Sequence, residues 1–147
     1  MKKFVFSLEK VLSVKQQMLD VKKNEILQLK VKVKEIEQEE EDIKLEFHEY
    51  DKQMRTELES GTSPQKVMTY KVYFNSLMRR EKELAKEKER VKQVINEKQQ
   101  ELVVLKSEIS GLEKLEEKQK DEYDKSLKKS QERDIEEYVN QKSAAQQ

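Results

Sequence analysis

The single histidine of this chain, His48, lies at helical spacing from Lys44, Asp51 and Lys52. One imidazole and one carboxylate beside two ammonium groups make a poor metal site, because divalent ions gather neutral or anionic donors. His48 therefore reads as a surface residue. The next candidates for acid and base work, Glu39, Glu40, Glu41 and Asp42, are consecutive. A solvated run of this kind cannot hold two carboxyl pKa values apart, which general acid and base catalysis requires. With two glycines there is no phosphate-cradling loop, and with no cysteine there is no thiolate ligand, nucleophilic thiol or disulfide. The sequence reads as that of a non-enzyme, with no catalytic residue, cofactor or metal site.

What remains is the chemistry of recognition. Tyr70, Tyr73 and Phe74 are three of nine aromatic side chains, and they fall just after the only proline, Pro64. On a helix Tyr70 and Phe74 share a face, while Tyr73 is rotated to its edge. Tyr73, Leu77, Arg80 and Leu84 then follow one another at spacings of four, three and four. Such a strip either flanks a helical core or offers a partly exposed docking surface, and spacing alone leaves both open.

The elements that carry these residues follow from hydrophobic periodicity. A frame stepping by four and three from Leu8 to Met54 is apolar at eleven of fourteen positions, the exceptions being Lys15, Lys22 and Glu40. A second frame, from Val67 to Leu112, is also apolar at eleven of fourteen, missing at Glu81, Lys88 and Lys98. Two sustained repeats of 3.5 residues predict two coiled-coil helices. Between them, Ser60-Gly61-Thr62-Ser63-Pro64 reads as a stop and a start: Gly61 for the left-handed residue past a helix end, Ser63 for a cap, and Pro64 for a first turn.

So short a reversal makes neighbours antiparallel. The fold expected is all-α, one antiparallel coiled-coil hairpin over residues 1–147, with helix one about 4–60, a turn at 61–63, helix two about 64–140 and a frayed KSAAQQ end. Residue i should face roughly residue 125 minus i. At about 1.5 Å per residue, the paired rod would be on the order of 80 to 90 Å long. Pairing should end near residue 120, leaving about 25 residues of the second helix unmatched. Lys22 and Lys98 fall near each other under this rule, which marks a soft place in the seam. Gly111 marks another, since glycine inside a helix costs about 1 kcal/mol relative to alanine.

Composition agrees with long solvated helices: 34% hydrophobic, 42% charged, and 31 basic residues against 31 acidic. Residues 1–34 carry nine lysines against three acids, and residues 35–60 eleven acids against three bases. The basic third has neither net charge from the whole chain nor aromatic platforms to support nucleic-acid binding. MKKFVFSL imitates a secretory leader, but its apolar run stops at Glu9. No window approaches the ~20 apolar residues of a membrane span. A soluble, cytoplasmic chain is expected.

Three stretches resemble the flagellar export protein FliJ family. KFVFSLEKVLSVKQQ is similar to the family opening at Phe4, Phe6, Leu8, Val11 and Leu12; GTSPQKVMTYKVYFNSL to its pattern after the turn at Tyr70, Tyr73 and Leu77; and LEKLEEKQKDEY with ERDIEEY to its C-terminal helix. The resemblance implies a stalk-like component of the type III export apparatus, peripheral on the cytoplasmic side of the membrane at the flagellar base. Its implied partners are the hexameric export ATPase, FliI-like, whose assembly it promotes, and the cytoplasmic domain of the FlhA-like export gate, where it helps couple export to the proton gradient. A link to recycling of export chaperones is also implied.

By the same resemblance the gate-facing patch would comprise Tyr50, Tyr73 and Leu77 with Ile43, Arg80 and Leu84, although Arg80 and Leu84 differ in type from the family pattern. The ring-facing end would be that of the termini, with Phe4, Phe6, Leu8, Val11, Tyr123 and Leu127. The competing readings are a structural coiled coil associating through Val11, Val14, Met18 and Val21, a holdase whose tip SGTSP is too polar for clients, and a membrane-surface helix that Lys15 and Lys22 would interrupt.

Overall fold

A computed structural model describes residues 2–146, and in it the chain is an all-α hairpin of two helices, α1 (Glu9–Ser60) and α2 (Pro64–Ala145). Gln147, the last residue of the segment expected to fray, lies outside the described residues, whereas α2 continues through Ala145 instead of ending near 140. The reversal between the helices has the local chemistry its residues predict. Gly61 has a φ of 89°, the left-handed conformation in which a side chain would be strained. The Lys66 N–H donates to the Ser63 hydroxyl at 3.3 Å, which satisfies one of the first-turn donors left free by helix geometry. Pro64 opens α2, where its missing N–H costs no bond.

Contacts divide the chain into two compact units. The first runs from Lys22 to Glu101 and contains the reversal. Its seam is built from Ile26, Val33, Ile36 and Ile43 of α1 against Leu77, Leu84, Val91 and Ile95 of α2, all buried, with Leu84 at 1% the deepest. Phe47 meets Phe74 with ring centroids 4.7 Å apart, and Lys22 meets Glu101, so facing numbers add to about 121–123, close to the antiparallel rule. Phe47 departs from the expected core. At 37% exposed it lies at the edge of the seam, one side against Phe74.

The lysines in this seam are not set against each other. Lys22 pairs with Glu101 and Lys98 with Glu25 at 2.8 Å, so the place expected to be soft carries two crossed ion pairs, the lysines and glutamates three residues apart on each helix. Lys88 and Glu40, both polar interruptions of the heptads, pair with each other at 2.9 Å. The aliphatic stems fill the seam and the charged ends leave it sideways to reach a partner. The hydrogen bond to Glu40 holds the Lys88 pKa above its ordinary value, the bond to Glu25 does the same for Lys98, and the bond from Lys22 lowers that of Glu101. Pairs this exposed contribute little stability each, but a slipped register would leave lysine stems in the seam without partners.

The second unit joins the residues up to Val21 with those from Leu102 onward. Here the helix begins later than expected, at Glu9 and not near residue 4, and residues 2–6 are irregular. The physical reason is legible in Phe4-Val5-Phe6. Phe6 is buried among Leu12, Leu105 and Ile109, Phe4 packs beside this cluster, and Val5 between them is 76% exposed. An in-out-in alternation is the period of extended chain, and on a helix the two rings could not share a face. The Glu9 N–H donates to the Phe6 carbonyl and the Leu12 N–H to that of Leu8, turning the segment into α1.

Extended chain advances about 3.3 Å per residue against about 1.5 Å in a helix, so these few residues cover more of α2 than a helical turn could. Phe4 reaches Tyr123, with ring centroids 5.6 Å apart, and the Tyr123 hydroxyl donates to the Lys2 carbonyl. Half-buried positions continue through Leu127 to Ser130, past the expected limit near 120, and the described residues from 131 onward are exposed. Lys15 pairs with Glu108 across the helices, as the other seam lysines do with their glutamates.

Candidate partner-binding surface

Within the unit that holds the reversal, the aromatic residues of both helices gather into one face. Tyr50 of α1 lies against Tyr73 of α2 with centroids 4.3 Å apart and planes tilted by 32°, and against Tyr70 edge-on at 6.3 Å and 68°. Tyr70 in turn stacks near Phe74 at 6.5 Å. Offset and edge-on contacts suit the quadrupoles of aromatic rings, and each contributes beyond the area it buries. The Tyr73 hydroxyl donates to the Glu46 carboxylate, which fixes the ring at the seam edge with one side covered and one open.

The strip of Tyr73, Leu77, Arg80 and Leu84 separates by depth. Leu77 and Leu84 are buried in the seam, as is Ile43 opposite them, so these three support the face from beneath and offer no surface of their own. Arg80 stands outside, bonded to Glu39 at 2.9 Å and close to Glu83 at 3.6 Å. Of the residues that the resemblance assigns to the gate patch, Tyr50, Tyr73 and Arg80 are thus accessible, and Ile43, Leu77 and Leu84 are buried. Periodicity could not separate the two layers, because it gives the direction a side chain takes around the helix and not how far the neighbouring helix covers it.

Beside the tyrosines lies an open cleft of about 360 Å³, lined by Tyr50, Glu57, Lys66, Thr69, Tyr70 and Tyr73. Burial, and then a hydrogen bond to the Glu57 carboxylate and the charge of that group, hold the Tyr70 phenol above its ordinary pKa, so it stays neutral. Glu57 Oε2 is buried and accepts no hydrogen bond. Glu46, Glu57 and Lys66 were not singled out by spacing, although one signal was available: Glu57 stands seven residues, two helical turns, after Tyr50 and shares its face.

In the other unit the residues expected to face a ring are brought together only in part. Phe4, Phe6 and Tyr123 form one cluster with Phe6 wholly inside it; Leu127 is half-buried, and Leu8 and Val11 lie at the exposed margin. Farther along α2, Ile135, Tyr138 and Val139 form an exposed apolar group at spacings of three and one, and Lys142 lies 6.0 Å over the Tyr138 ring. Among the described residues no cluster of three or more potential ligands could hold a metal ion, and no helix is long and apolar enough to cross a membrane.

The family description that matches this sequence is the flagellar FliJ protein, over residues 4–147, essentially the whole chain. The chain belongs to this family. Members are non-catalytic components of the flagellar protein export apparatus. The match begins at Phe4, the first ring of the extended F-x-F clamp, and includes the reversal and the tyrosine face. No curated protein and no solved structure matches the chain.

Proposed function

We propose that this chain is the stalk-like element of the export apparatus, working on the cytoplasmic side of the membrane at the flagellar base. It binds the hexameric FliI-like export ATPase through the end that holds both termini, promotes assembly of that ring, and meets the FlhA-like export gate through the tyrosine face; a role in recycling export chaperones belongs to the same reading. The observation that carries it is the half-covered Tyr50–Tyr73 pair with Arg80 beside it, on a chain matched to the FliJ family from end to end. A seam that buries itself leaves partners only the residues at its edge, and amphipathic aromatic and arginine side chains at such an edge are the types that dominate protein interfaces.

The test keeps the seam intact by changing only surface residues. Tyr73→Ala with Arg80→Ser should lose about tenfold or more in affinity for the gate's cytoplasmic domain, with far-UV circular dichroism and ATPase binding unchanged. Undiminished gate affinity in a folded double variant refutes the patch. Truncation after Ser130 spares every half-buried position of α2, and it should reduce stimulation of the ATPase. Full stimulation would exclude this tail as a ring contact.

A second reading, self-association through α1, is favoured by one observation: Val11, Val14, Met18 and Val21 are all exposed at helical spacing. Sedimentation of the full chain with Met18→Glu distinguishes it, since a dimer built on this stripe would dissociate.

A further inference from the structure

We propose that the corner between Tyr70 and the Tyr50–Tyr73 pair, above the Glu57 carboxylate, is a receptor for the guanidinium group of an arginine presented by a protein partner. The walls are aromatic and nearly perpendicular, Tyr50 to Tyr70 at 6.3 Å and 68°. Tyr50 and Tyr73, 4.3 Å apart, are too close to admit anything between them and act as one wall. The cleft of about 360 Å³ is large enough for the end of a long side chain.

Its base supplies the charge. A buried carboxylate oxygen without a hydrogen bond is costly, and Glu57 Oε2 is such an atom. A cation entering the corner would meet the negative faces of the rings and the Glu57 carboxylate that lines the cleft, and a small turn of that side chain would bring the covered Oε2 out to it. Of the two side-chain cations, guanidinium fits better: it is planar, lies flat on a ring, forks onto a carboxylate and sheds its hydration more easily than an ammonium. The Tyr70 phenol, held above its ordinary pKa, keeps this wall neutral. Lys66, at the rim, enters none of the ion pairs among the described residues and would compete weakly with the incoming group.

The inference rests on the tyrosine face being partner-facing, and it adds the chemical class of the group received there. Its test needs no partner. The full chain is titrated with N-acetyl-arginine amide while the tyrosine ring and backbone NMR signals are followed, with N-acetyl-citrulline amide, uncharged and of nearly the same shape, in parallel. Saturable shifts at Tyr50, Tyr70, Tyr73 and Glu57 are expected with the arginine compound at a millimolar Kd, and none with the citrulline compound. Glu57→Gln should raise that Kd by about tenfold or more, the loss of one charge-assisted hydrogen bond. Lys66→Met should lower it.

Absence of saturable shifts, equal binding of citrulline, or an unchanged Kd in Glu57→Gln overturns the receptor. A gate-binding assay separates this from failure of the broader reading. If Tyr73→Ala loses gate affinity and Glu57→Gln retains it, the receptor falls and the patch stands. If both lose it, with the titration positive, both stand.

Discussion

Alanine in place of glycine adds the same methyl group at Gly61 and Gly111, yet stability should move in opposite directions. At neither position does the new Cβ meet an atom within 4 Å, so packing cancels and backbone conformation decides. Gly111 is inside α2, where alanine is the better helix former by about 1 kcal/mol, and Gly111→Ala should be stabilising by that amount. Gly61 has a φ of 89°, where an L-residue costs about 1–2 kcal/mol. Against this, alanine narrows the unfolded ensemble by about 0.4–1 kcal/mol, leaving Gly61→Ala destabilising by about 1 kcal/mol. For a chain of this size each change corresponds to roughly 3 °C in Tm. Urea and thermal unfolding followed at 222 nm measure both, and Gly61→Asn should fall between glycine and alanine because asparagine tolerates the left-handed region. The two glycines lie in different contact units, so if two transitions appear each substitution should move its own. A Gly111→Ala variant no more stable than the parent would refute the account, as would a Gly61→Ala variant that melts unchanged.

Depth in the seam gives a second contrast: Leu84→Ala should cost about 3 kcal/mol in urea unfolding, whereas Val72→Ala, on the exposed side of the same helix, should stay within about 0.5 kcal/mol. Phe6→Ala should uncover Leu105 and Ile109, and hydrogen exchange of amides around 102–112 should accelerate while those around Leu84 do not change. The ion pairs predict a plateau in Tm against pH. Glu101 has a lowered pKa, so its contribution is complete above the ordinary carboxylate range and is lost as pH falls through the lowered value. Lys88 and Lys98 have raised values, so theirs is complete below the ordinary lysine range and is lost as pH rises through the raised ones. Lys22→Gln removes the cause of the Glu101 shift and should flatten the acid limb alone; an acid limb unchanged in that variant would contradict the pairing.

The parts of this fold that the sequence made legible are those governed by one helix at a time. Heptad spacing located both helices, and Gly61, Ser63 and Pro64 located the reversal, because the angle around a helix and the φ of a turn are local quantities. What escaped depends on what stands opposite. Phe4 and Phe6 were set in a helix because their neighbours Leu8 and Leu12 fit a heptad, although two rings at a spacing of two already pointed to extended chain. Lys22 and Lys98 read as a soft place because spacing marks both as polar interruptions of the heptads, while the glutamates that face them, Glu101 and Glu25, lie off the heptad frame and come into view only across the helices. Leu77 and Leu84 share the strip with Tyr73 by spacing, but the opposite helix covers them, and that cover is not a local quantity. Under the proposed function, in which partners read the edges of a self-buried seam, the informative residues are those whose side chains are cut by the edge. Tyr73, one side against Tyr50 and the other open, is such a residue, and an unsatisfied Glu57 oxygen beside it gives that edge a sign of charge as well as a shape.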